Sequence, residues 1–138
     1  MSVSALLADI YVMIDPVAKA RARVTKWGAY TPKKSKDFDT ELKDYLKQVW
    51  GRRELLDIPV SLEIEFQLPK PKVKRDLPAV KPDIDNYVKA VMDCLNKTIL
   101  KDDGAVCDLI ARKRYRKDGF PSMINIKLRS LELSSPLS

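Results

Sequence analysis

The residues able to do chemistry in this chain are carboxylates set among cations. One stretch reads Lys81-Pro-Asp83-Ile-Asp85-Asn-Tyr-Val-Lys89, and after an apolar run comes Lys101-Asp102-Asp103. Carboxylates that a fold brings together repel one another unless a cation lies between them. The rest of the chain is basic, with 26 Lys+Arg against 19 Asp+Glu and a net charge of +7. A basic surround attracts a polyanion. An acidic pocket, a divalent metal and a cationic rim together point to metal-dependent phosphodiester hydrolysis.

What is missing narrows the chemistry. The chain has no histidine, which excludes imidazole as ligand, base or nucleophile and with it the Ser-His-Asp hydrolases and histidine-metal nucleases. Cys94 and Cys107 lack metal-ligand spacing and sit in apolar stretches, so both are expected as reduced core residues, consistent with an intracellular protein. The N-terminus shows no signal-peptide pattern, and no stretch approaches the 18 or so apolar residues of a membrane span.

The cations fall in three groups, Lys19–Lys36, Lys70–Arg75 and Arg112–Lys117. Arg21, Arg23, Lys26, Lys33 and Lys34 in the first, Lys70, Lys72, Lys74 and Arg75 in the second, and the Arg112–Lys117 run in the third are candidate phosphate contacts. Each group has a solvated face as its alternative. Arg112, Arg114 and Arg116 share one side of an expected strand, which makes a coherent basic stripe there. Trp27 and Tyr30 are expected to pack in the core or an interface rather than stack on bases.

The elements that must position these groups follow from periodicity. A chain of 138 residues holds one domain. Residues 6–14 read as a strand stopped by Asp15-Pro16, and 17–32 as a basic loop with a short strand near Arg21–Thr25. Lys33–Trp50 has helical spacing, with Phe38, Leu42, Tyr45, Leu46 and Val49 as its stripe and Gly51 as its end. Val60–Leu68 alternates as a half-buried strand. Residues 69–82 carry four prolines among basic residues, an exposed loop. Asp83–Ile99 is the strongest helix, with Ile84, Val88, Val91, Met92, Leu95 and Ile99 inward and Asp83 as N-cap. Val106–Arg116 and Ser122–Arg129 read as strands joined as a hairpin through Asp118-Gly119. The order predicts an α+β fold: a small mixed β-sheet with two helices packed on one face, a single domain over 1–133 and a frayed tail at 134–138.

On such a helix Asp85, Lys89 and Asp93 stack at i, i+4, i+8. Asp83 and Asp85 aim out of the first turn, and the Asp102-Asp103 turn follows the same helix. Each has a bland alternative: a cap, an i,i+4 ion pair, an ordinary turn. Asp93 is read as structural and Asn86 as a surface or supporting group.

The ordered set Lys-Pro-Asp83-Ile-Asp85-Asn-Tyr-Val-Lys89-Ala, Lys101-Asp102-Asp103 and Arg112-Lys113-Arg114-Tyr115 resembles the RusA family of Holliday junction resolvases. Ala20-Arg-Ala-Arg23 and Tyr30-Thr-Pro-Lys33-Lys34 resemble that family's N-terminal pattern. The resemblance implies small α+β homodimers, often carried by prophages, that cut branched DNA at four-way junctions with Mg²⁺, Mn²⁺ being an eligible substitute, in the cytoplasm of a bacterial or phage-infected cell. It implies catalytic Asp83, Asp85, Lys89 and one of the pair Asp102-Asp103, with Asp103 favoured, and 5′-phosphate and 3′-hydroxyl products. Asp83, Asp85, Asp102 and Asp103 are then the metal-ligand candidates.

Rival expectations are a branched-DNA binder that does not cut and an interaction module with an acidic helix. A nuclease of the Pro-Asp…(Asp/Glu)-x-Lys type finds only its first half, at Pro82-Asp83, since no Asp/Glu-x-Lys follows within 30 residues.

Overall fold

The structure, a computed structural model, describes residues 2–133 apart from 4, 21, 22 and 31. The expectations for Arg21 and for the tail at 134–138 lie outside the described residues, and Arg23 is placed only as a strand position.

In chain order the elements are β1 (Ser2–Val3), β2 (Leu6–Val12), β3 (Arg23–Thr25), β4 (Gly28–Tyr30), α1 (Lys33–Trp50), β5 (Val60–Leu68), α2 (Ile84–Leu95), a 3-10 turn (Asp103–Ala105), β6 (Val106–Tyr115), β7 (Met123–Ser130) and β8 (Glu132–Leu133). The main sheet runs β2-β7-β5-β6. β5 and β6 are parallel, with α2 in the connection between them, and the other two pairings are antiparallel. Two minor ribbons, β1 with β8 and β3 with β4, complete the pairing. The chain is thus a single α+β domain with a mixed four-stranded sheet.

β5 shows why the helices lie on one side. Val60, Leu62, Ile64 and Phe66 are at most 1% exposed, while Ser61, Glu63 and Glu65 alternate with them on the half-exposed opposite face. The inward row meets Leu42 and Leu46 of α1 and Val91 and Leu95 of α2 in one continuous core. Phe66 and Tyr87 stack at 5.3 Å between ring centres, fixing the first turn of α2 over β5.

Several local expectations are corrected. α1 buries Phe38, Leu42, Leu46 and Trp50, a strict i, i+4 row; Tyr45 and Val49 are exposed flanks. The Tyr45 hydroxyl donates to the Tyr11 carbonyl at 3.0 Å. α2 ends at Leu95 rather than Ile99, because Asn96 leaves helical geometry and Lys97 takes φ 70°. Ile99 stays buried as part of the turn that follows. Ile84 is outside the core at 37% exposure. β6 and β7 do not form a hairpin: β5 lies between them. The segment around Gly119 (φ 81°) crosses the end of β5, where the Arg116 N–H donates to the Leu68 carbonyl at 2.7 Å. A parallel β5–β6 pair sets β6 on one side of β5, so an antiparallel β7 takes the other side. Both cysteines are free thiols, but only Cys94 is in the core; Cys107 is exposed on β6.

Candidate active site

The approach to α2 is built by two lysines. Asp83 occupies the N-cap position with extended backbone (φ −70°, ψ 150°), yet its carboxylate makes no capping bond to the helix. It instead accepts from the Lys81 ammonium, 2.8 Å from Oδ1 and 2.9 Å from Oδ2. That hydrogen bond and the charges of Asp83 and Asp85 hold the Lys81 pKa above its ordinary value. On β6, Lys113 Nζ donates to the carbonyls of Val80 and Pro82 at 2.8 and 2.9 Å. The basic segment is therefore tied to the sheet immediately before Asp83.

Asp83, Ile84 and Asp85 line one wall of an open cleft of about 940 Å³; the segment Leu77–Lys81 and the β6 residues Ala111–Arg114 complete it. Both carboxylates are exposed and stand at the positive end of a 12-residue helix, which favours anions. Divalent magnesium takes one or two carboxylates and fills its remaining positions with water and substrate phosphate oxygens. The Asp83–Asp85 pair fits that habit.

The turn at Asp102-Asp103 lies elsewhere in the chain. The Asp103 N–H donates to Asn96 Oδ1 at 3.1 Å, at the C-terminal end of α2. From Asp85 to Asn96 that helix rises roughly 16 Å. The chain thus brings Asp83 and Asp85 to one cleft and holds Asp103 at the far end of α2. Among the described residues no three His, Cys, Asp or Glu gather into a metal-holding group. Asp102 Oδ1 accepts the Gly104 N–H at 2.8 Å, which depresses the Asp102 pKa.

The other residues singled out from sequence separate by partner. Lys89 is exposed and joins no ion pair among the described residues. Asp93, its expected partner, bonds Lys19 at 3.0 Å. Arg112 is held by Glu63 at 2.9 Å, and Arg129 reaches the same carboxylate at 3.3 Å. The hydrogen bond from Arg112 is the main reason that the Glu63 pKa falls below its usual range. Arg114 is exposed beside the cleft; Arg116 lies past the end of β6 and donates to the Phe120 carbonyl at 3.1 Å. Lys70 pairs with Asp118. Lys72, Lys74 and Arg75 are exposed on the segment leading to the cleft. Lys33 and Lys34 open α1 and line a second cleft of about 640 Å³ with Asp15, Asp37 and Glu41.

Sequence reasoning gave no role to Lys81 and counted Lys113 only within a basic run. Lys81 carried a signal, since a cation two residues before a carboxylate is within reach of it. Lys113 is separated from its Pro82 partner by 31 positions, and nothing local announces the contact.

Residues 14–129 match the family described as endodeoxyribonuclease RusA. This chain belongs to that family of DNA endonucleases. It is also 35% identical over 124 residues to the uncharacterized protein YqaN of Bacillus subtilis (strain 168), covering 75% of this chain and 84% of the relative.

Proposed function

We propose that this protein is a magnesium-dependent endonuclease that resolves four-way DNA junctions as a homodimer. The observation that carries the reading is the exposed Asp83–Asp85 pair in a cation-rimmed cleft, in a chain of the RusA family. Asp83 and Asp85 would hold the ion, and Mn²⁺ suits the same oxygen donors. When bound, the ion makes a water easier to deprotonate and offsets charge on the scissile phosphate. Lys89, one turn along α2 from Asp85, serves to steady the phosphate as charge builds on it. Lys81, Arg114 and the cations Lys72, Lys74 and Arg75 lead the DNA backbone into the cleft. Lys33 and Lys34 extend the basic surface, while Arg112 contributes through the pairing that fixes Glu63; Arg21 and Arg23 are proposed as further phosphate contacts from the sequence alone.

Cutting two opposed strands of a junction requires two sites, which a two-fold dimer supplies. The same symmetry gives Asp103 a role. It is too far along α2 to serve its own Asp83 and Asp85, so its carboxylate completes the site of a second copy. Asp102, tied to the Gly104 N–H, is the lesser candidate.

Asp85→Asn keeps shape and removes charge. It is expected to bind a synthetic four-way junction as tightly as the native protein while losing Mg²⁺-dependent cleavage by at least about 100-fold. Cleavage at the native rate would remove Asp85 from the mechanism, and a native protein that binds the junction without ever cutting it would leave a branched-DNA binder instead.

A further inference from the structure

Trp27 does not pack in the core of this chain. It is 87% exposed, more than any other large apolar side chain among the described residues. It stands at the tip of the β3–β4 ribbon, where Thr25 pairs with Gly28, and Lys26 and Trp27 make the turn between them. Gly28 closes the turn at φ 119°, a backbone that a residue with a side chain rarely adopts. The Lys26 ammonium lies 5.1 Å from the centre of the indole ring, a cation–π contact that steadies the ring in water.

An indole held in solvent keeps a large apolar area that burial would stabilise. The surrounding charge says what buries it. Residues 16–36 hold seven Lys or Arg and no Asp or Glu. Such a segment draws a polyanion to the ribbon. An aromatic ring beside cations stacks nucleobases while the cations hold the phosphates. An intact duplex hides its base faces between neighbouring pairs. At a branch point the stack is interrupted and a base face becomes accessible.

The root of the ribbon is fixed to the helix of the Asp83–Asp85 pair. The Lys19 N–H donates to the Asn86 carbonyl at 2.9 Å, and the Lys19 ammonium pairs with Asp93 at 3.0 Å. Trp27 follows Lys19 by eight positions, a reach of at most about 29 Å. One turn of duplex DNA is longer, about 34 Å. A base on Trp27 and a phosphate in the Asp83–Asp85 cleft can therefore belong to one branch point.

We infer that Trp27 selects branched over linear DNA by stacking its ring on a base left unstacked at the branch point, with Lys26 beside the adjoining phosphate. The inference rests on the junction-cleaving reading above and gives it a residue that discriminates the substrate.

The test measures binding in EDTA, so cleavage does not enter. The probes are a synthetic four-way junction and a linear duplex of the same arm sequence. Trp27→Ala is expected to keep the native circular dichroism and to bind the junction about 10-fold more weakly. Its duplex affinity and its log–log salt slope should stay native, since no phosphate contact is lost. Trp27→Phe, which keeps a ring face, should recover most of the junction affinity. Saturating junction should quench the indole emission of the native chain but not that of Trp27→Phe, whose remaining indole is the buried Trp50. Native junction affinity in Trp27→Ala, or an equal loss on junction and duplex, would overturn the stacking role and leave the endonuclease reading standing. A quench and a selective loss in a chain that never cuts with Mg²⁺ would uphold the stacking and sink that reading instead.

Discussion

The ammonium of Lys113 lies 2.9 Å from the carbonyl oxygen of Pro82, the residue that introduces Asp83. With its second bond to Val80, this side chain fastens the approach to α2 onto β6. A strand cation has become a backbone clamp, and the consequence is a division of labour among the basic residues of β6.

Lys113→Met should loosen the segment before Asp83 without removing a phosphate contact. The expected result is Mg²⁺ affinity weakened about 10-fold, as for other groups that orient metal ligands. Isothermal titration on the protein without DNA reads this directly. The salt dependence of junction binding should keep its native slope, and Lys113→Arg should recover part of the metal affinity. A slope lowered by about one with metal affinity intact would make Lys113 a DNA contact instead.

Arg112 and Arg114 share a face of β6 and should behave differently. Arg114→Ala is expected to lower the log–log salt slope for junction binding by about 0.9, the loss of one phosphate contact. Arg112→Ala leaves Glu63 with Arg129 alone and should cost roughly 1 kcal/mol in urea unfolding, a modest figure because both arginines are partly exposed. Its slope should stay closer to native than that of Arg114→Ala. Equal slopes for the two variants would refute the distinction.

Cys94 is shielded by burial and by its contact with Asp39, 3.3 Å from Sγ to Oδ1; burial first, then the Asp39 charge, pushes its thiol up to about 12. A thiol reacts as its thiolate. Cys107→Ser, which retains only Cys94, should take up no maleimide while folded at pH 8 and one equivalent once unfolded. Rapid labelling of the folded variant would show that the α1–α2 seam opens readily.

The parts of the fold legible in the sequence were those governed by local periodicity. Val60–Leu68 and Lys33–Trp50 coincide with their elements because one period, of two or of 3.6, decides which side chains face the core. Strand order was less accessible. Asp118-Gly119 has hairpin chemistry, but the partner of β6 is set by the long-range parallel register with β5, which no turn residue encodes. For the site, the Asp83–Asp85 pair was legible because both carboxylates belong to one helical turn. The position of Asp103 depends on where α2 stops, and Asn96 stops it before the apolar pattern runs out. Helix ends are the least periodic feature of a helix and therefore the hardest to read.

Glu63 gives a pH test with a defined sign. Its folded pKa lies below its ordinary value of 4.5, chiefly through the hydrogen bond from Arg112. A depressed carboxyl contributes stability that is fully present above the unfolded pKa and is lost as pH falls through the folded one. The native protein should therefore exceed Glu63→Gln by roughly 1 kcal/mol at pH 7, discounted for the exposure of its arginine partners. The gap should narrow as pH drops below the ordinary carboxylate range and close once Glu63 is protonated in both states. Paired urea titrations of the two proteins from pH 7 downward measure the gap. A gap that is constant across that range would mean that shape rather than charge at position 63 holds β5, β6 and β7 together.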